Sequence, residues 1–211
     1  MAYEVTATKF RPQTFDELVG QEFVATTLKN SIKSNRIANA YLMTGPRGCG
    51  KTSTARIIAK ALNCTKGPTD TPCNVCENCV TITNGNNQDV IEIDGASNTG
   101  IDDIRVIQEE ILYPPVGSKY KVYIIDEVHM ISNNAFNALL KTIEEPPPHV
   151  VFIFATTEIN KVLPTIRSRC QQFNLRLIPV DVIYNSLTKV LKSMNVKYEE
   201  SAIKWVSQEG K

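Results

Sequence analysis

The sequence has no apolar run approaching the roughly 20 residues that a membrane-spanning helix requires, and no internal repeat or low-complexity stretch. Its start, Met1 to Phe10, lacks the apolar core of a secretory leader, so the expectation is a cytoplasmic protein with no membrane partner. Nor is there an excess of charge of either sign: 23 basic residues against 22 acidic ones leave a formal net charge of +1. Composition therefore gives no reason to expect nucleic acid. Any DNA contact has to come from a local patch or from several subunits together. What is present is ordinary: 42% hydrophobic and 21% charged residues over 211 positions. That suffices for one generous domain, or one domain and part of another. Six cysteines would suggest disulfides in a secreted chain, but clustered cysteines in a reducing compartment are more often metal ligands.

Along the chain, Phe15 to Lys33 reads as a helix with Leu18, Val19, Phe23 and Leu28 as apolar positions. Ala40 to Met43 is a short buried strand running into a glycine-rich turn, and Thr52 to about Leu62 is helical, with Ala55, Ile58, Ala59 and Leu62 on one face. Gly67, Pro68, Pro72 and four cysteines then break the pattern and mark residues 63–88 as an insertion. Regularity resumes with a strand over Asp89 to Asp94 and a helix over Ile101 to Leu112 whose stripe is Ile101, Ile104, Ile107 and Ile111. Tyr120 to Ile125 is a continuous apolar run of the kind buried on both faces. Ser132 caps a helix carrying Phe136, Leu139, Leu140 and Ile143, which stops at Pro146-Pro147-Pro148, and Val150 to Ala155 is a further buried strand. Alternation of this kind argues for a parallel α/β sheet. Pro179 to Met194 and Ser201 to Gln208 read as two helices, too few to close a core, so the chain looks cut inside a small helical domain.

The strongest chemical signal is Gly45-Pro46-Arg47-Gly48-Cys49-Gly50-Lys51-Thr52, followed by Ser53, which fits G-x-x-x-x-G-K-[ST]. Glycines let the backbone wrap a phosphate with successive N–H groups, and the following helix aims its positive dipole end at the same spot. Lys51 would reach the β- and γ-phosphates and the Thr52 hydroxyl would ligate Mg²⁺. A mere glycine turn is the bland alternative, disfavoured by the strand before and the helix after. The second signal is the apolar run Val122 to Ile125 ending in Asp126-Glu127. Asp126 would hold Mg²⁺ and Glu127 would polarise the attacking water as general base. Alone, that run could equally end in a solvated acidic turn. Cys64, Cys73, Cys76 and Cys79 form C-x8-C-x2-C-x2-C. Four thiolates can surround Zn²⁺ tetrahedrally and leave no open position, which is structural rather than catalytic. Unmetallated thiols and a disulfide pair are the alternatives.

Several further stretches carry a family resemblance: Lys9-Phe10-Arg11-Pro12-Gln13-Thr14-Phe15, Val19-Gly20-Gln21, Ala96-Ser97, Lys141-Thr142-Ile143-Glu144-Glu145-Pro146-Pro147, Ala155-Thr156-Thr157 and Arg167-Ser168-Arg169-Cys170. With the two signals above, in the same order over essentially the whole chain, they resemble the gamma/tau subunit family of the bacterial DNA polymerase III clamp loader. The resemblance implies an AAA+ P-loop NTPase core with a parallel five-stranded sheet (residues 1–178), a zinc-module insertion (63–88) and the truncated beginning of a helical lid domain (179–211). It implies a Mg²⁺-dependent ATPase that binds ATP and ADP, belongs to the DNA-directed DNA polymerase III holoenzyme and does not itself polymerise. Thr157 would sit at the sensor position beside the γ-phosphate. Arg169 would be an arginine finger reaching a neighbouring subunit's site, with a surface salt bridge as the alternative. Arg11, Pro12 and Val19 would pack on the adenine. The implied partners are delta, delta-prime and further gamma/tau copies in a hetero-pentameric ring, the sliding clamp, and primer–template DNA. Another AAA+ DNA-processing motor of the Holliday-junction type, or a non-hydrolysing scaffold subunit, are the competing readings. The family's second sensor arginine would lie on the lid past Lys211, so this chain is expected to bind nucleotide but hydrolyse it poorly by itself.

Overall fold

A computed structural model describes residues 6–97 and 100–210, without the side chains of residues 7 and 101–103. Met1 to Val5 of the N-terminal arm and the Ile101 side chain of the expected stripe lie outside what is described.

The chain opens with α1 (Thr6–Lys9) and a 3-10 turn over Phe15–Glu17, followed by α2 (Glu22–Lys33), β1 (Ala40–Thr44) and α3 (Lys51–Asn63). Next come α4 (Glu77–Asn84), β2 (Val90–Asp94), α5 (Ile101–Ile111) and β3 (Lys121–Asp126). Then follow α6 (Asn133–Glu144), β4 (Val150–Thr156), α7 (Pro164–Arg167), β5 (Gln171–Asn174), α8 (Val180–Ser193) and α9 (Glu200–Glu209). The strands form one five-stranded sheet in the order β2-β3-β4-β1-β5, every pair parallel.

Strict alternation along each central strand builds a layer on each face. Tyr41 and Met43, Val122 and Ile124, and Val151, Ile153 and Ala155 pack with α2 and α3. Leu42, Tyr123 and Ile125, and Phe152 and Phe154 pack with α5, α6 and α7. Burial on both faces explains the unbroken apolar runs. The register holds the strand ends level: Thr44 pairs with Thr156 and Asn174, and Asp94 with Asp126. One edge thus carries the segments that follow β1, β2, β3 and β4. It is also where strand order reverses around β1, the place in open α/β sheets where ligands gather.

The expected helix over Phe15 to Lys33 is two pieces. Gly20, at φ +71, takes a left-handed conformation that a continuous right-handed helix cannot include. The buried stripe of α2 is Val24, Ala25, Leu28 and Ile32, and Phe23 is 82% exposed, contrary to the expected stripe. The insertion holds a helix of its own, α4, whose Ile82 joins the layer beneath α3. Asp89 precedes β2 instead of opening it: its buried carboxylate accepts the N–H groups of Val116 (2.7 Å), Gly117 (2.9 Å) and Ser118 (2.7 Å). Elsewhere the reading holds. Ile104, Ile107 and Ile111 are buried, Ser132 accepts a hydrogen bond from the Ala135 N–H at 3.3 Å, and α6 stops at Glu144 before the prolines. Helices α8 and α9 pack on each other.

Candidate functional site

The turn after β1 is built on three positive-φ glycines, Gly45 (+145), Gly48 (+76) and Gly50 (+98). A Cβ at Gly45 would stand 2.4 Å from the Leu175 carbonyl oxygen, so the turn lies against the segment leaving β5. Gly50 caps α3, whose first residue, Lys51, is buried. The Lys51 ammonium donates to the carbonyl oxygens of Gly45 (2.9 Å) and Pro46 (2.8 Å). Thr52 donates to Asp126 Oδ2 at 2.6 Å, joining the turn to the acidic end of β3. The other oxygen, Asp126 Oδ1, accepts the Glu127 N–H at 2.9 Å.

Glu127 itself adopts φ 44, ψ 44, a left-handed conformation uncommon for a side chain of this type. Its Oε2 accepts from Thr157 Oγ1 at 3.1 Å and lies 3.4 Å from His129 Nδ1. The exposed Arg47 approaches Oε1 only to 3.9 Å, a weak solvent-screened pairing. His129 is nearly enclosed, with Nδ1 3.0 Å from Thr156 Oγ1 and Nε2 3.3 Å from Glu158 Oε1.

Two clefts flank the turn. One, of about 420 Å³, is lined by Arg11, Pro12, Arg47, Lys51, Thr52 and Ser53, with Asp126 and Glu127 at its acidic wall. The second, of about 530 Å³, lies on the other side of Gly48 and Gly50 and is lined by Pro12, Val19, Cys49, Ile178 and Lys189 among others. The structure thus brings the turn, both β3 acids, Thr157 and the expected Arg11, Pro12 and Val19 to one edge. Cys49 is buried within the turn, its thiol donating to the Pro46 carbonyl at 3.0 Å. Burial pushes that thiol up. Arg169 lines neither cleft of its own chain. It pairs with Glu144 at 2.7 Å and donates to the Thr165 carbonyl at 2.7 Å, a partly exposed ion pair at the end of α6. Cys170 packs in the layer with α5 and α6.

The four insertion cysteines converge: the sulfurs of Cys64, Cys73, Cys76 and Cys79 all lie within 4.8 Å of one another. Sulfurs about 2.3 Å from one ion in a tetrahedron stand roughly 3.8 Å apart, so a small contraction closes the set, and none of the four is in a disulfide. Cys64 and Cys79 are buried while Cys73 and Cys76 are half-buried. Burial raises the Cys76 thiol, but the N–H groups of Thr65 and Cys79 and hydrogen bonds to the neighbouring thiols outweigh it and hold the group at about 6. Burial, then the hydrogen bond to Cys76, push Cys79 the other way. A cluster in which one thiolate is already favoured suits a cation, and the four sulfurs could hold a metal ion.

Sequence reasoning missed three residues here. Gly95 follows β2 and presses on the end of β3: a Cβ there would meet the carbonyl oxygens of Glu127 at 2.8 Å and Asp126 at 2.9 Å. Its signal was available, a glycine directly after a strand's last acid. His129, two residues past Glu127, was also in plain view. Gln21, 4% exposed, donates to the carbonyls of Arg176 (2.7 Å) and Cys49 (3.4 Å) and accepts the Arg176 N–H at 3.1 Å. No local pattern announces it.

Comparison with known proteins places this geometry. A sequence model of the family described as DNA polymerase III, delta subunit, matches residues 20–179. The DNA polymerase III subunit tau of Bacillus subtilis is 49% identical over 207 residues, which cover 98% of this chain and 37% of that protein. The tau subunit of Escherichia coli is 49% identical over 208 residues, 99% of this chain and 32% of that protein. The chain spans about a third of the length of these relatives. Among solved structures, the RuvB Holliday junction branch migration motor of Thermotoga maritima superposes with a TM-score of 0.66 at 22% identity, over 94% of this chain and 59% of that one. That likeness is one of fold alone. The chain belongs to the family described as DNA polymerase III, delta subunit, and is a relative of the bacterial tau and gamma/tau subunits.

Proposed function

We propose that the chain is an ATP-binding and ATP-hydrolysing motor module of a polymerase III clamp loader, which opens the sliding clamp and loads it on primer–template DNA. The observation that carries this reading is the 2.6 Å contact between Thr52 and Asp126, which couples the glycine-built turn to the two acids at the end of β3. A triphosphate entering the cleft would draw the Lys51 ammonium away from the Gly45 and Pro46 carbonyls and onto its β- and γ-oxygens. Thr52 and Asp126 would hold Mg²⁺, which supplies neutralisation of phosphate charge when bound. Glu127 would accept the proton of the attacking water at its carboxylate, oriented by the Thr157 hydroxyl that donates to it here. Thr157 would in turn stand at the γ-phosphate end as sensor. Arg11, Pro12 and Val19 would receive the adenine. Residues 1–178 would form the nucleotide-binding domain and 179–211 the beginning of a lid, a reading supported by Ser186, Lys189 and Val190 on the wall of the second cleft.

Arg169 would leave Glu144 and serve the site of a neighbouring subunit, since it lines neither cleft of its own. The four insertion cysteines would hold a structural Zn²⁺. Delta, delta-prime and further gamma/tau copies would complete the ring.

The test is ATP turnover of the intact subunit with its loader partners, with and without clamp and primed DNA, for the native protein and Arg169→Ala. Turnover should rise with clamp and DNA, and the variant should lose that rise by about 10³-fold or more while still binding ATP. Turnover indifferent to clamp and DNA would defeat the clamp-loader reading, and an unaffected variant would defeat the role of Arg169.

A further inference from the structure

Lys60 is a buried cation with an unusual set of partners. It lies on α3, nine residues past Lys51, and is 1% exposed. Its three ammonium protons meet three neutral oxygens: the Gln13 carbonyl (2.8 Å), Gln13 Oε1 (2.7 Å) and Asn74 Oδ1 (2.8 Å). An ammonium has three donors and no acceptor, so the set is saturated. Two of those oxygens belong to the N-terminal arm and the third to the cysteine loop, where Asn74 sits at φ 56 between Cys73 and Cys76. Burial disfavours the charge on Lys60, and attraction from Cys79 and then Glu17 works against that.

Gln13 is the junction. Its side-chain oxygen also accepts from Thr83 Oγ1 on α4 at 3.0 Å, and Thr83 in turn donates to the Cys79 carbonyl at 2.9 Å. Its side-chain nitrogen donates to the Arg11 carbonyl at 3.0 Å. Arg11 and Pro12 line the cleft at the glycine turn. An unbroken hydrogen-bonded path therefore runs from the cysteine loop through Asn74 and Lys60, and from α4 through Thr83, to Gln13 and the wall of the cleft.

We propose that Lys60 and Gln13 are positioning residues for nucleotide binding, through which the metal-ordered cysteine loop holds the Arg11–Pro12 wall in its binding pose. The proposal rests on the reading of the glycine turn as a nucleotide site. It predicts that metal and nucleotide bind with positive coupling, and that coupling is reciprocal.

The path can be cut without touching a cysteine, the glycine turn or Lys60. Asn74→Gly removes one acceptor at a left-handed position that glycine tolerates, and Thr83→Val removes the second tie at constant shape. The double variant Asn74→Asp/Thr83→Ser keeps both polar partners and serves as the rescue. Binding of mant-ADP is titrated in the intact protein, zinc-loaded and zinc-stripped, for the native form, both double variants and Lys51→Ala.

Zinc-loaded native protein should bind about 5- to 20-fold more tightly than stripped protein. Asn74→Gly/Thr83→Val should carry a full complement of zinc yet bind as weakly as the stripped native form, with no further loss on stripping. The rescue variant should bind as native. Equal affinity of loaded and stripped native protein, or native affinity in the zinc-loaded Asn74→Gly/Thr83→Val variant, would overturn the proposal. If stripping unfolds the chain, the reciprocal measurement decides: mant-ADP must slow zinc transfer to a chromogenic chelator in native protein and leave it unchanged in the cut variant. Mant-ADP binding that Lys51→Ala does not weaken would instead indict the nucleotide-site reading itself.

Discussion

A methyl group at position 95 would press on the carbonyl oxygens of Asp126 and Glu127 at 2.9 and 2.8 Å, and neither oxygen can yield without moving the acids that follow from it. The Gly95 N–H already donates to the Asp126 carbonyl at 2.8 Å, so the two chain segments are fixed back to back. Gly95→Ala is expected to cost about 1–3 kcal/mol of stability through overpacking, readable as a shift in a denaturant midpoint. With Glu127 as the proposed general base, turnover should fall about 10²-fold, because a displacement near 1 Å is enough, while nucleotide affinity changes less. A variant with native turnover would mean that the β3 acids do not need this buttress. The sequence announced the glycine turn and the two acids because each is a contiguous string with its own local chemistry. Gln21 stood in a stretch that carries the family resemblance, but its contact was not legible, since its partner Arg176 is 155 residues away and no spacing rule reaches that far. Arg169 shows a different limit: the family resemblance implied a reach across a subunit boundary, with a surface salt bridge as the alternative, and the single chain presents an ion pair with Glu144.

Among the elements, the β2 entrance is one whose stability depends on pH. Burial by itself would raise the Asp89 carboxyl, but the N–H groups of Val116, Gly117 and Ser118 outweigh it and hold the group below the usual carboxylate range. A depressed folded value contributes stability that is complete above the unfolded value of about 3.9 and disappears as pH falls through the folded one. Asp89→Asn should therefore destabilise the protein by about 1–3 kcal/mol at pH 7, and the gap to the native form should close as pH falls below the ordinary carboxylate value of about 3.9. Chemical unfolding at stepped pH measures this, and a gap that persists at the lowest pH would assign the cost to packing. Element boundaries were legible wherever burial pattern and caps agreed, as at Ser132 and the prolines after α6. They failed at Phe15 to Lys33, where apolar residues at plausible helical spacing hid the break at Gly20. The same spacing led to Phe23, which faces outward because the stripe shifts by one residue once the helix begins at Glu22.

For the whole molecule, the proposed function would divide the site between copies: Lys51 lines a cleft of its own chain, whereas Arg169 lines neither cleft beside the turn. Mixing intact subunits carrying Lys51→Ala with subunits carrying Arg169→Ala should therefore restore part of the turnover that either variant lacks with its loader partners. Some neighbouring pairs would then join an intact cleft to an intact arginine. Additive residual rates with no restoration would place both groups in one chain's site. The parallel sheet was readable from the alternation of strands and helices, its fifth strand only from the family resemblance, and strand order was not, because crossovers leave no trace in a local pattern. That order governs how the protein is made. β1 carries the glycine turn at its end, yet its sheet neighbours are β4 and β5, the last two strands to leave the ribosome. Until residues 171–174 have emerged, the strand that bears the turn has an open flank, and the backbone of Leu175 that packs against Gly45 does not yet exist. The first-made part of the cleft is thus among the last to be set in place. A ribosome pausing between β1 and β5 would hold out a long apolar segment without a partner, the kind of intermediate that chaperones attend.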